Sequence, residues 1–195
     1  MITTDCKTSH HKSAKRRPSR RCWPSSRGWA KARQGEFDKG IAEIQEGLEK
    51  VRALGALLYE PYILGLVGDE CITNKRYEQA FDVLEQARSK LNEENSEHFY
   101  AAEIYRLLGE TYLRSHQDLD QAEHYLCEGL KIAREQKTKS LELRLCVSIY
   151  DMSQLRQKDG TYRSQLGEIY RSFTEGFGTA DLIKAKAILG LDKIN

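Results

Sequence analysis

From residue 27 onward, apolar and polar positions alternate with a helical period. In AEIYRLLGETYL, residues 102–113, Leu108 and Tyr112 lie one turn apart on one face. The same spacing predicts helices over 27–34, 37–54, 60–74, 77–91, 97–115, 119–136, 139–157, 161–174 and 179–190. The connectors are short and carry turn chemistry: RQGE, TNKR, RSHQDLD and RQKDGT. Connectors of that length place consecutive helices antiparallel and side by side. Prolines occur at 18, 24 and 61 only, so the chain beyond Pro61 is free of the strongest helix breaker. The pattern predicts an all-α chain.

The helices repeat as pairs. Aligning the second helix of each pair puts Gly40, Ala80, Ala122 and Tyr162 at one position and Gly47, Ala87, Gly129 and Ile169 at another. Between them fall Ile44, Leu84, Leu126 and Leu166, at intervals of 40, 42 and 40 residues. In the first helices, Gly28 and Gly68 stand twelve residues ahead of their partner positions and Gly109 thirteen. Tyr150 holds the equivalent place in the fourth unit, a departure from the pattern. A glycine inside a helix costs about 1 kcal/mol relative to alanine. The expected compensation at Gly109 is close approach of the second helix at Ala122, with Tyr105, Leu108 and Tyr112 filling the rest of the interface.

Charge divides the chain in two. Residues 1–35 hold ten Lys/Arg and one acid, a net +9, whereas the remainder carries −7. Residues 1–26 have almost no aliphatic side chains and no periodicity, which predicts a disordered basic tail. Its KRRPSRR cluster is also compatible with nucleic-acid binding or a nuclear address, and its Arg/Ser-rich composition with an organelle transit peptide. Cys6, His10, His11 and Cys22 lack a paired CxxC spacing and make a weak metal motif. A shifted or truncated reading frame is a further source for such a tail. Cys71, Cys127 and Cys146 are expected to be free, buried thiols. With no secretory segment and no apolar run of about 18 residues, a cytoplasmic chain with no membrane span is expected.

Catalytic motifs are not found: no GxxxxGK[ST], HExxH, GxSxG or strand-linked GxGxxG occurs. His124, Cys127 and Glu128 fall at i, i+3 and i+4, a possible metal triplet, but His124 and Glu128 are expected to face solvent. His98 is expected near a helix start and His116 in a loop. No catalytic residue, cofactor or metal is assigned, and the chain is expected not to be an enzyme.

Leu108-Gly109-Glu110-Thr111-Tyr112, followed by Ala122, Leu126 and Gly129, resembles the tetratricopeptide repeat, whose period is about 34 residues. The longer period here is similar to that of the variant arrays in MalT-like activators and large bacterial signalling ATPases. RGWAKARQGEFDKGIAEIQEGL, EIYRLLGETYL, KTKSLELRLCVSIYDM and especially IYRSFTEGFGTADLIKAKAIL look like the C-terminal region of bacterial adenylate/guanylate cyclase-type proteins with a predicted ATPase module. The resemblance covers roughly residues 27–192. It implies a right-handed superhelical array of about four antiparallel helix pairs over 27–178, closed by a capping helix over 179–195 begun by Thr179 and Asp181. It also implies a regulatory portion whose catalytic parts lie elsewhere.

In such an array the first helices line the inner face. The register puts Tyr62, Asp69, Glu103, Arg106, Glu110, Arg114, Arg144 and Asp151 there. A lining that alternates in sign suits an extended peptide or partner helix better than a nucleic-acid backbone, which requires one sign of charge. The function expected is therefore a protein–protein interaction scaffold. The alternatives are nucleic-acid binding through the basic tail, or a gene remnant without a role. The first unit is expected to lack a full first helix, leaving Trp23, Trp29 and Ile41 on an open end prone to self-association.

Overall fold

A computed structural model describes residues 24–91, 98–115, 118–156 and 161–191. Trp23 and the predicted tail up to that residue lie outside the described residues, as does His116. Among the described residues there are nine α-helices and no strand: α1 (Pro24–Arg33), α2 (Phe37–Ala53), α3 (Glu60–Thr73), α4 (Tyr77–Leu91), α5 (Ala101–Ser115), α6 (Leu119–Glu135), α7 (Lys139–Leu155), α8 (Thr161–Arg171) and α9 (Ala180–Leu189). Short 3₁₀ turns, Leu57–Tyr59 and His98–Tyr100, lead into α3 and α5. No described helix is long and apolar enough to cross a membrane.

Consecutive helices pack as hairpins, α1 on α2, α3 on α4, α5 on α6 and α7 on α8, and the hairpins stack into a helical-repeat solenoid. The first helices α1, α3, α5 and α7 lie beside one another, and α9 continues that layer beside α7. Ile44, Leu84, Leu126 and Leu166 are each 0% exposed, so the register read from the sequence is the register of the core. Full burial of such a side chain contributes roughly 1.5–3 kcal/mol.

The small residues mark contact between backbones. A Cβ on Gly28 would stand 2.6 Å from the Gly40 carbonyl oxygen, and one on Gly109 would stand 2.6 Å from Leu126 Cγ and 3.2 Å from the Ala122 carbonyl oxygen. Neither first helix tolerates a side chain at that point without moving its partner.

Two expectations at the ends are corrected. Helix α1 begins at Pro24 and has 10 residues against 14, 15 and 17 in α3, α5 and α7, so the first unit's first helix is short, as expected; proline suits a helix start because its missing N–H has no intrahelical acceptor there. That helix covers the hairpin, and Ile41 is buried rather than part of an open face. Trp29 remains 38% exposed, with the Arg33 guanidinium 5.5 Å from its ring centroid. At the other end Thr179 is the residue before α9, but its side chain makes no capping hydrogen bond. Asp181 turns its carboxylate toward Arg144 instead.

Candidate protein-binding groove

The layer of first helices presents a continuous surface with a charged part and an apolar part. The charged part surrounds a cavity of about 220 Å³ lined by Asp69, Glu103, Arg106, Glu110, Arg114 and Arg144, together with Arg33, Val147, Ser148, Asp181 and Lys184. Six of the eight residues predicted for the inner face thus come together around one cavity.

Their charges are paired within and between helices. Along α5, Arg106 donates from Nε and Nη2 to Glu103 at 2.9 and 2.8 Å and from Nη1 to Glu110 at 3.4 Å. Arg114 Nε donates to Glu110 at 2.6 Å. These are the three- and four-residue spacings at which helix side chains meet. From α7, Arg144 bridges Glu103 at 3.1 Å and Asp181 of α9 at 2.8 Å, and Ser148 Oγ donates to Glu110 at 2.6 Å. Lys184 of α9 pairs with Asp151 at 2.8 Å, so Asp151 is tied to the last helix and lines neither cavity of the groove. At the other end Arg33 of α1 pairs with Asp69 and lies 2.5 Å from Glu70 Oε1.

Burial would raise the carboxyls of Glu103 and Glu110, but their arginine neighbours outweigh it. Arg106 and Arg144 hold Glu103 below the ordinary carboxylate range; Arg106, Arg114 and the Ser148 hydroxyl do the same for Glu110. Arg106 is driven further toward the charged state by the same two carboxylates, against its own desolvation. It therefore belongs to the floor, with a side chain only 13% exposed. Arg106→Glu would set three carboxylates together and disturb the fold as well as any contact. Glu70 behaves oppositely: it is 0% exposed, burial lifts its pKa, and Arg33 offsets this only in part. Neither of its carboxylate oxygens accepts a hydrogen bond, so Arg33 meets it as an ion pair only.

The apolar part is a cleft of about 350 Å³ among α1, α3, α5 and α7. Trp29, Tyr62, Leu66, Phe99, Tyr100 and Leu141 line it, and Arg33, Asp69, Glu103 and Arg144 border both parts of the surface. Tyr62 stacks on Tyr100 with ring centroids 4.6 Å apart, and Phe99 is 60% exposed. Of the six aromatic and aliphatic side chains only Tyr62 follows from the predicted set, beside Asp69, Glu103 and Arg144 at the border. Trp29 holds the register position of Asp69, Glu110 and Asp151, so the repeat alignment contained the signal for it. Phe99 and Tyr100 fall within the helix predicted over 97–115 but lie instead in the 3₁₀ turn ahead of α5, where the α-helical register does not hold.

The remaining chemistry is sparse. Cys71 and Cys146 are buried thiols, and burial pushes the pKa of each up to about 11. Cys127 is a correction: it is exposed, because it follows the core residue Leu126 and so falls on the outer flank of α6. His124 is exposed and meets Tyr125 edge-on at 5.4 Å. Among the described residues no three His, Cys, Asp or Glu side chains converge as metal ligands.

Residues 61–135 match the family model of the tetratricopeptide repeat, a span running from the first turn of α3 to the end of α6. Residues 61–135 thus form a tetratricopeptide repeat region, a kind of structure that generally mediates protein–protein interaction. No curated protein matches the chain.

Proposed function

We propose that the chain is a non-catalytic interaction scaffold whose first-helix surface holds a segment of a partner protein. The observation that carries this reading is the continuity of the aromatic cleft with the ion-paired floor. Apolar anchors have a place at Trp29, Leu66 and Phe99, and polar groups meet Arg33 and Arg144 at the shared border. Asp69, Glu103, Arg106, Glu110, Arg114 and Arg144 act in this scheme as a preformed, self-neutralised bed rather than as free charges, with Tyr62 in the adjoining cleft and Asp151 outside both cavities. A densely charged phosphate backbone is poorly served by such a bed, because its cations are already paired with its carboxylates.

The resemblance of IYRSFTEGFGTADLIKAKAIL to the C-terminal part of bacterial cyclase-type ATPase proteins supports a regulatory role within a larger cytoplasmic signalling protein. Selection of a displayed peptide library against the chain tests the groove. Binders should lose affinity at least ten-fold with Phe99→Ala or Leu66→Ala and be unaffected by Cys127→Ser on α6. Binders indifferent to both groove substitutions would remove the assignment.

The concentration of +9 in residues 1–35 favours a second reading, nucleic-acid binding through the basic segment. Replacing Lys15, Arg16, Arg17, Arg20 and Arg21 with glutamine should then abolish salt-sensitive RNA or DNA retention. Retention that survives the replacement eliminates this alternative.

A further inference from the structure

The aromatic cleft of the groove does not end at Tyr62 and Tyr100. The same two rings wall a second hollow of about 350 Å³, whose other sides are Ser25, Ser26, Tyr59 and Ile63. The stacked pair, with centroids 4.6 Å apart, is therefore a ridge between two adjoining hollows. Trp29 and Phe99 add two exposed rings on the cleft side.

The polar chemistry of this surface is one-sided. Trp29 brings an indole N–H, and Tyr62 and Tyr100 each bring a hydroxyl; among the described residues none of the three hydrogen-bonds to the protein. Burial, with Tyr62 alongside, raises the Tyr100 phenol above its ordinary range, so it stays a protonated donor at neutral pH. The border carboxylates Asp69 and Glu103 are already engaged by Arg33, Arg106 and Arg144. Arg33 and Arg144 are also the more exposed partners of those border pairs. The surface thus offers flat apolar faces, spare donors and a positive edge.

Its complement is a chain rich in acceptors, poor in donors and stiff before it binds. Proline lacks the backbone N–H and keeps the carbonyl. The polyproline II helix leaves its carbonyls without internal partners and has little conformational entropy left to lose. An α-helical ligand meets the donors less well, because its carbonyls are bonded within the helix. Three residues per turn bring positions i and i+3 to one face about 9 Å apart, the repeat by which successive pyrrolidine rings straddle an aromatic ridge.

We propose that a proline-rich segment of a partner protein, carrying one acidic residue, lies across the Tyr62–Tyr100 ridge in polyproline II form. The indole and phenol groups donate to its carbonyls, and its carboxylate faces the Arg33 and Arg144 edge. This inference rests on the first-helix surface being the binding groove and names its occupant.

The test is fluorescence anisotropy of the full chain with a labelled polyproline peptide bearing one central glutamate. Saturable binding is expected, roughly ten-fold tighter than that of the counterpart with alanine at every proline. Tyr62→Phe and Tyr100→Phe keep the rings and remove one donor each, so each should weaken binding about five-fold, as one neutral hydrogen bond gives. Tyr170→Phe on α8 should change nothing, and a central lysine in place of the glutamate should weaken binding. Equal affinity for the alanine or the lysine peptide, or affinity unchanged in both cleft variants, overturns the proposal. If the proline peptide fails while library-selected binders stay sensitive to Phe99→Ala, the groove stands and this occupant is wrong. Failure of both removes the groove itself.

Discussion

Leu126 lies directly against the backbone of Gly109, its Cγ 2.6 Å from where a Cβ would stand, with the Ala122 carbonyl oxygen at 3.2 Å. Gly109→Ala brings about 1 kcal/mol of helix propensity but overpacks a site where the neighbour cannot retreat, a cost of about 1–3 kcal/mol. A net loss near 1 kcal/mol is expected in urea unfolding. Gly65 provides the contrast: its added Cβ meets the flexible Cδ1 end of Ile104 at 2.9 Å and Leu107 Cδ1 at an ordinary 3.9 Å. Gly65→Ala should be neutral or stabilising, so equal losses in the two variants would show that contact with Leu126 is not what selects glycine at 109.

The helices and their register were legible because one position per unit, Ile44, Leu84, Leu126 or Leu166, must vanish into the core, and that demand writes a period into the chain. The charged floor was legible for the same reason, since α5 repeats its charges every three or four residues. Which charges pair between helices was not. Arg144 meets Glu103 across 41 residues, and only the stacking of α7 on α5 decides that contact. The aromatic cleft draws side chains from four helices and a turn, so no local window contains it.

Helix α6 starts with side-chain N-cap hydrogen bonds, which α2, α3 and α9 lack. Asp118 Oδ1 accepts from the backbone N–H groups of Asp120 at 2.9 Å and Gln121 at 3.0 Å. Asp118→Ala should lower stability by about 1 kcal/mol, and Asp118→Asn, which keeps the acceptor, by much less. Thermal unfolding followed by circular dichroism measures both. Identical losses would mean that the cap geometry contributes nothing.

Ser148 and Glu110 tie α7 to α5 through a 2.6 Å hydrogen bond to a buried carboxylate. A hydrogen bond to a charged group contributes roughly 1.5–3 kcal/mol, so Ser148→Ala should be costly for so small a change. A double-mutant cycle with Glu110→Gln should show a coupling well above the ~0.5 kcal/mol additivity limit of independent sites. Additive losses in the cycle would place the cost of Ser148→Ala outside this bond.

The buried carboxyls give the stability–pH curve two limbs of opposite sign. Glu103 and Glu110 are shifted below their ordinary 4.5, so the stability they supply is present above that value and disappears as the pH falls through their folded pKa values. Glu70 is shifted above 4.5, so its contribution is complete in acid and is lost as the pH rises through its raised value. Above that raised value Glu70 is a buried charge whose two oxygens accept no hydrogen bond, while its ion-pair partner Arg33 also has Asp69 to hold. Glu70→Gln removes that charge at constant shape. The variant should be at least as stable as the parent at pH 8 and should lose the decline on the alkaline side of 4.5, leaving the acid limb of Glu103 and Glu110 unchanged. Urea unfolding at half-unit pH intervals reads both limbs in one series. A Glu70→Gln protein less stable than the parent at pH 8 would mean that the Arg33 pair outweighs the desolvation of Glu70.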